Sequence, residues 1–121
     1  MGKIDRITIE SNHKWASTIS TIALTQERSW KDTLFLTFDI DWASDAVLLD
    51  TVELVESVDV SATWFVTHNT PLLCGLSENP KFELGIHPNF NNILNGRNDN
   101  GRNAKEVVER LMEIVPESKS V

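Results

Sequence analysis

Thr33-Leu34-Phe35-Leu36-Thr37-Phe38-Asp39-Ile40-Asp41-Trp42 is the stretch whose reading decides the fold. It has the composition of a buried β-strand and runs straight into two carboxylates. Alternate residues of an extended strand share a face. Leu34, Leu36, Phe38 and Ile40 then lie on one side, with Phe35, Thr37, Asp39 and Asp41 on the other. Asp39 and Asp41 point the same way, roughly 7 Å apart along the strand. Carboxylates are costly to bury without partners. They suit the mouth of a site that holds a cation or a water; the competing reading is a solvated strand end or a cap for the next helix.

Working outward from this strand, Ser44 is a good N-cap, and Val47, Leu48, Val52, Val55 and Val58 recur at helical spacing. The pattern predicts an amphipathic helix over about 45–57. Val60–Val66 is β-branched and aromatic and reads as a second buried strand. Thr70 before Pro71 starts a short helix that should stop near Gly75, followed by a turn over Ser77–Lys81. Phe82–His87 reads as a third strand, with Phe82, Leu84 and Ile86 on one face and Glu83, Gly85 and His87 on the other. Pro88–Gly101 is a long loop with six asparagines and two glycines; such loops are functional or floppy. Asn103 and Glu106 have capping-box spacing before a helix that ends ahead of Pro116. Ser118–Val121 looks like the approach to another strand. Residues 1–32 are poorly readable: Ile4–Glu10 alternates weakly as an edge strand would, periodicity does not decide Thr18–Thr25, and His13 reads as a surface histidine.

Composition narrows the function classes. The 121 residues suit one small domain, and 40% hydrophobic content allows a real core. The net charge of −7 disfavours nucleic acid and anionic membrane as partners, since both reward clustered Lys and Arg. The single cysteine, Cys74, excludes an internal disulfide and reads as a small apolar filler. No stretch is long and apolar enough for a membrane span or a signal peptide. A cytoplasmic location is the expectation; the sequence carries no signal for an oligomeric state.

Alternating strands and helices imply parallel strands with right-handed crossovers. Ligand chemistry in such folds sits at the C-terminal strand ends. The three ends carry Asp39 and Asp41, then His68, then His87. Carboxylates plus neutral imidazole suit a divalent first-row metal such as zinc. A metal with an open position polarises a carbonyl and acidifies water, and a carboxylate that is not a ligand takes the proton. The residue types fit metal-assisted hydrolysis. For His68 a loop residue bonded to its neighbours is an equal alternative.

Three blocks resemble the NodB-homology polysaccharide deacetylases, carbohydrate esterase family four. Thr37-Phe38-Asp39-Ile40-Asp41 is similar to that family's TFDD strand end, with one residue inserted between the acids. Ala62-Thr63-Trp64-Phe65-Val66 is similar to its ATFFV strand. Glu83-Leu84-Gly85-Ile86-His87-Pro88-Asn89-Phe90-Asn91 is similar to its third strand and His-x-x-x-His pair, with Asn91 where the second histidine stands. The resemblance implies Asp39 as general base and Asp41, His87 and Asn91 as metal ligands; Asn89, and His68, which is outside the family's motif set, lie on the same rim. The inserted Ile40 leaves the two acid roles exchangeable. An amide oxygen is also a weaker zinc ligand than imidazole.

The fold implied is α/β: the first half of a distorted seven-stranded (β/α) barrel of parallel strands, residues 1–121 forming one incomplete domain with its βα units over 33–121. The activity implied is removal of N-acetyl groups from amino sugars or glycans by metal-activated water. The alternatives are another C–N amidohydrolase on the same fold and a non-catalytic fragment that binds a glycan or protein. The family's later Arg strand and Leu-x-His segment have no counterpart before Val121. The chain by itself is therefore expected to be inactive and to fold poorly.

Overall fold

The structure, a computed structural model, describes residues 15–121. The expected edge strand at Ile4–Glu10 and the surface histidine His13 lie outside the described residues.

The β-branched and aromatic run Ala62–Val66 forms the central strand, β4, of a parallel sheet. On one side it pairs with β3 (Thr37–Asp39), on the other with β5 (Phe82–Ile86). Two further short strands, β1 (Ala16–Ser17) and β2 (Leu34–Phe35), pair with each other in parallel. The single strand expected over Thr33–Trp42 is thus broken. Leu34 and Phe35 pair with β1, while the Leu36 carbonyl accepts the Thr63 N–H at 2.9 Å, so the chain changes partner at Leu36.

Alternation puts Phe38, Trp64 and Leu84 side by side on one face, in register. Phe38 stacks on Trp64 with ring centroids 4.4 Å apart, and Phe82 meets the indole edge-to-face with centroids 5.4 Å apart. Ala62, Trp64 and Val66 are fully buried there. Three helices supply the cover. Helix α1 (Asp45–Ser57) contributes Leu48, Val52 and Val55, α2 (Leu72–Glu78) contributes Leu73 and Leu76, and α4 (Ala104–Ile114) contributes Leu111. Burial of this apolar area is the main stabilising term.

Helix boundaries follow their caps. Ser44 Oγ accepts the Val47 N–H at 3.4 Å, and Asn103 Oδ1 accepts the Glu106 N–H at 3.0 Å, as the capping patterns predict. Glu106 returns a bond to the Arg102 N–H at 2.9 Å and pairs with its guanidinium. Hydrogen bonds from Arg102 hold the Glu106 carboxyl down at about 2. Helix α2 does not stop near Gly75. It continues to Glu78, because Leu76 buries on that extra turn and the block comes only where Pro80 forces Asn79 into an extended conformation. The turn is correspondingly confined to Asn79–Lys81. Cys74 lies exposed on α2 and fills no gap, since the apolar stripe of that helix runs through Leu73 and Leu76 instead. Within the loop expected over Pro88–Gly101, Asn91–Leu94 winds into one helical turn, α3.

The second face of the sheet is polar apart from Phe65. Thr63 and Glu83 point into it, and the 3₁₀ turn Ile19–Thr21 lies across them. The Ile19 N–H donates to Thr63 Oγ1 at 2.9 Å and the Ser20 N–H to Glu83 Oε1 at 3.2 Å. Ser120 Oγ also donates to Glu83, at 2.9 Å. The Ile86 N–H, on the edge of β5 away from β4, donates to the Ser120 carbonyl at 3.0 Å. The last residues therefore run beside β5, as an approaching strand would.

Gly85 has no room for a side chain. A Cβ there would stand 2.6 Å from Ser120 Oγ and 2.8 Å from the Phe65 ring, whereas one on Gly75 meets nothing within 4 Å. Two substitutions of the same size should therefore act with opposite signs in urea unfolding. Gly85→Ala is expected to destabilise by about 1–3 kcal/mol through overpacking. Gly75→Ala, in the interior of α2, is expected to stabilise by about 0.5–1 kcal/mol.

Candidate metal and catalytic site

Register sets the height of the site. Asp39, Phe65 and Gly85 are partners across the three strands, so the strand ends lie level. Asp39 is the last residue of β3, and His87 follows the last residue of β5. The His87 N–H donates to the Val66 carbonyl at 2.8 Å, which continues the ladder one step and holds the imidazole on the polar face.

Asp41 arrives by a different route from the one alternation predicts. The strand ends before it. The Ile40 N–H makes the last ladder bond, to the Phe65 carbonyl at 3.2 Å, and the Ala43 N–H closes a turn onto the Ile40 carbonyl at 2.8 Å. The two central residues are left-handed, with φ of 44° at Asp41 and 57° at Trp42. Neither is glycine, and such conformations cost of order 1–3 kcal/mol each. Two adjacent ones at a strand end mark a backbone held by its surroundings.

The outcome of that turn is convergence. Asp39, Asp41 and His87 each offer a donor atom within 4.8 Å of the other two. Asp39 Oδ1 stands 3.6 Å from His87 Nδ1, with both side chains about half exposed. Donors that share one zinc ion at ~2.0–2.2 Å lie within about 4 Å of each other. Small rotations of the exposed carboxylates reach that spacing. Two carboxylates and an imidazole are a suitable donor set for a first-row divalent ion, so the residues present fit the expected metal.

His68 stands apart from this trio. Its Nδ1 lies 2.9 Å from Thr67 Oγ1, and the same hydroxyl accepts the Trp42 N–H at 3.1 Å. Thr67, buried at the end of β4, escaped the sequence reading because nothing local distinguishes it from any strand-end threonine. Asn91 heads α3 on the surface, its N–H bonded to Asn89 Oδ1 at 2.9 Å. The Asn89 carbonyl in turn accepts from Asn100 Nδ2 at 3.0 Å, folding the asparagine loop back on itself. Between that loop and α4 lies a cleft of about 410 Å³, bordered by Trp42, Thr67, Asn89, Asn92, Asn100 and Arg110. Its edge residues adjoin the trio in sequence: Trp42 follows Asp41, and Asn89 is two residues past His87.

Among the described residues, no helix is long and apolar enough to cross a membrane.

Comparison with known proteins agrees with this architecture. The family model described as WbmS-like polysaccharide deacetylase matches residues 36–121. A crystal structure from Bordetella bronchiseptica, of a protein assigned as a polysaccharide deacetylase involved in O-antigen biosynthesis, is similar at 50% sequence identity with a TM-score of 0.78. The match covers 85% of this chain and 42% of that one, so the chain spans less than half the length of its structural neighbour. No curated protein matches the chain at a significant level.

The left-handed turn predicts an unusual ranking of variants. Without metal, Asp41→Gly should be more stable than Asp41→Ala by about 1–2 kcal/mol, because only the alanine retains a Cβ in the left-handed region. Urea unfolding of both variants in chelator measures the difference. Alanine at equal or greater stability would mean that residue 41 does not hold this conformation in solution.

Proposed function

Because this chain belongs to the WbmS-like polysaccharide deacetylase family, whose model covers residues 36–121, we propose that it carries the metal-binding half of a hydrolase that removes N-acetyl groups from amino sugars of a polysaccharide. The observation that carries the reading is the convergence of Asp39, Asp41 and His87 at the C-terminal end of parallel strands. The neighbour's assignment to O-antigen biosynthesis supports a surface polysaccharide or its precursor as substrate. A cytoplasmic location belongs to the same proposal.

Asp41 and His87 would hold the ion, with Asn91 as a third ligand from the head of α3. A divalent cation bound there supplies Lewis acidity, polarising the acetamide carbonyl and acidifying water. Asp39 is the general base. Its carboxylate takes one proton as the water oxygen bonds to the acetamide carbon. The C–N bond then breaks as that proton passes from the Asp39 carboxyl to the amine nitrogen, directly or through water, and acetate leaves. The half-exposure of Asp39 leaves it open to the water it must deprotonate. Proton transfer by a placed carboxylate contributes about 10²- to 10⁴-fold.

The cleft beside the trio is suited to the sugar. Its volume of about 410 Å³ falls in the usual range of small-molecule sites. Asn89 and Asn92 border it, and the Nδ2 of each can donate to a sugar hydroxyl while its Oδ1 accepts from the Asn91 N–H or from Arg97. Trp42 offers a half-exposed indole to a sugar's C–H face.

The test is metal content and acetate release in a protein containing this chain, with N-acetylated chitooligosaccharides and isolated O-antigen as substrates. His87→Ala and Asp41→Ala should lose metal and turnover together. Asp39→Asn should keep the metal and lose about 10²- to 10⁴-fold in kcat. Metal loss in Asp39→Asn with retention in Asp41→Ala would show that the two acids exchange roles. Asn92→Ala, which removes one sugar contact, should raise KM about two- to tenfold with a smaller change in kcat.

A further inference from the structure

We infer that Thr67 is the positioning residue for the Asp41 carboxylate, acting through its hydroxyl on the backbone of the turn after β3. The inference rests on the metal-site reading proposed above.

Asp41 sits between two amides that are both anchored to the end of β4. On one side the Ile40 N–H donates to the Phe65 carbonyl at 3.2 Å. On the other the Trp42 N–H donates to Thr67 Oγ1 at 3.1 Å. The first is a ladder bond that any residue at position 65 supplies. The second is made by a side chain, and only a residue with an acceptor at that position can make it.

The strain in the turn gives that bond its importance. Asp41 and Trp42 both hold positive φ, a combination that L-residues leave readily when nothing opposes it. The peptide plane between them couples ψ of Asp41 to φ of Trp42, so the bond that fixes the Trp42 N–H also restricts the backbone that carries the Asp41 carboxylate. Thr67 is well placed to impose this restriction. It is only 8% exposed, and it follows directly on Val66, which is fully buried. Its Oγ1 also meets His68 Nδ1 at 2.9 Å, so one hydroxyl ties the acid-bearing turn to the histidine at the end of β4.

Thr70 provides an internal control. It is a second buried threonine in the same loop, and its hydroxyl donates to Asp45 Oδ1 at 2.6 Å. That bond joins the starts of α1 and α2 and does not touch the Asp41 turn.

The experiment titrates zinc into metal-free protein by calorimetry, alongside thermal unfolding of each metal-free form. Thr67→Val preserves shape and removes the acceptor. It should weaken zinc binding about 10- to 100-fold, the range for residues that orient metal ligands. Thr67→Ser keeps the hydroxyl and should bind within about threefold of the parent. Thr70→Val should lower the unfolding temperature and leave zinc affinity unchanged. If Thr67→Val cannot be purified, Thr67→Ala carries the same test, since it removes the acceptor without adding bulk. Parental zinc affinity in Thr67→Val, with affinity lost in His87→Ala, overturns the inference and leaves the metal site standing. Parental affinity in both His87→Ala and Asp41→Ala overturns the metal reading and this inference with it.

Discussion

Asp39, Phe65 and Gly85 lie in register across β3, β4 and β5, and this pairing is the constraint the rest of the molecule depends on. Parallel strands in register end at one level, so whatever follows each strand emerges on one rim. The same register stacks Phe38, Trp64 and Leu84 on the opposite face, where α1, α2 and α4 bury them. A slip of one residue would exchange the two faces along a whole strand. It would put Trp64 among polar groups and Asp39 in the core. Apolar burial on one face therefore enforces the position of the carboxylate on the other.

The polar face requires its own explanation, since parallel sheets are ordinarily covered on both sides. Thr63 is fully buried, and Glu83 is partly so. Both are satisfied by the backbone of Ile19 and Ser20 and by Ser120 Oγ. Buried polar groups cost little once hydrogen-bonded and a good deal otherwise. The segment before β2 thus completes the lower half of this face. Toward the strand ends, among the described residues, Asp39 and Asp41 are exposed and His87 is partly so. A satisfied floor beside an exposed rim lets one small sheet bury its polar groups and still present the three candidate ligands.

Strain is concentrated at that rim. Asp41 and Trp42 are consecutive residues with positive φ, and the first of them belongs to the candidate metal cluster. The folded state tolerates them because the amides on either side are bound to β4. Stability drawn from the Phe38–Trp64–Phe82 stack offsets a conformation that favours the site over the fold.

Much of this could be read from the chain alone. The helix over 45–57, its Ser44 cap, the strands read over 60–66 and 82–87 and found at 62–66 and 82–86, and the capping pair at Asn103 and Glu106 are local patterns. Each depends on residues within a few positions of one another, and a period of 2 or 3.6 reports which face is buried. That Asp39, Asp41 and His87 would come together was legible for the same reason, since they stand at the ends of recognisable strands. How Asp41 reaches the site was not legible. Alternation aims it from an extended strand, whereas a left-handed turn delivers it. The turn is held in part by Thr67, 25 residues away from Trp42. The change of partner at Leu36 and the extension of α2 past Gly75 likewise came from contacts outside the local window. Propensity and periodicity describe a segment against itself. A strained turn, a switched strand partner or an extra helical turn that buries Leu76 is decided by the energy of distant groups, which only the assembled fold brings within reach.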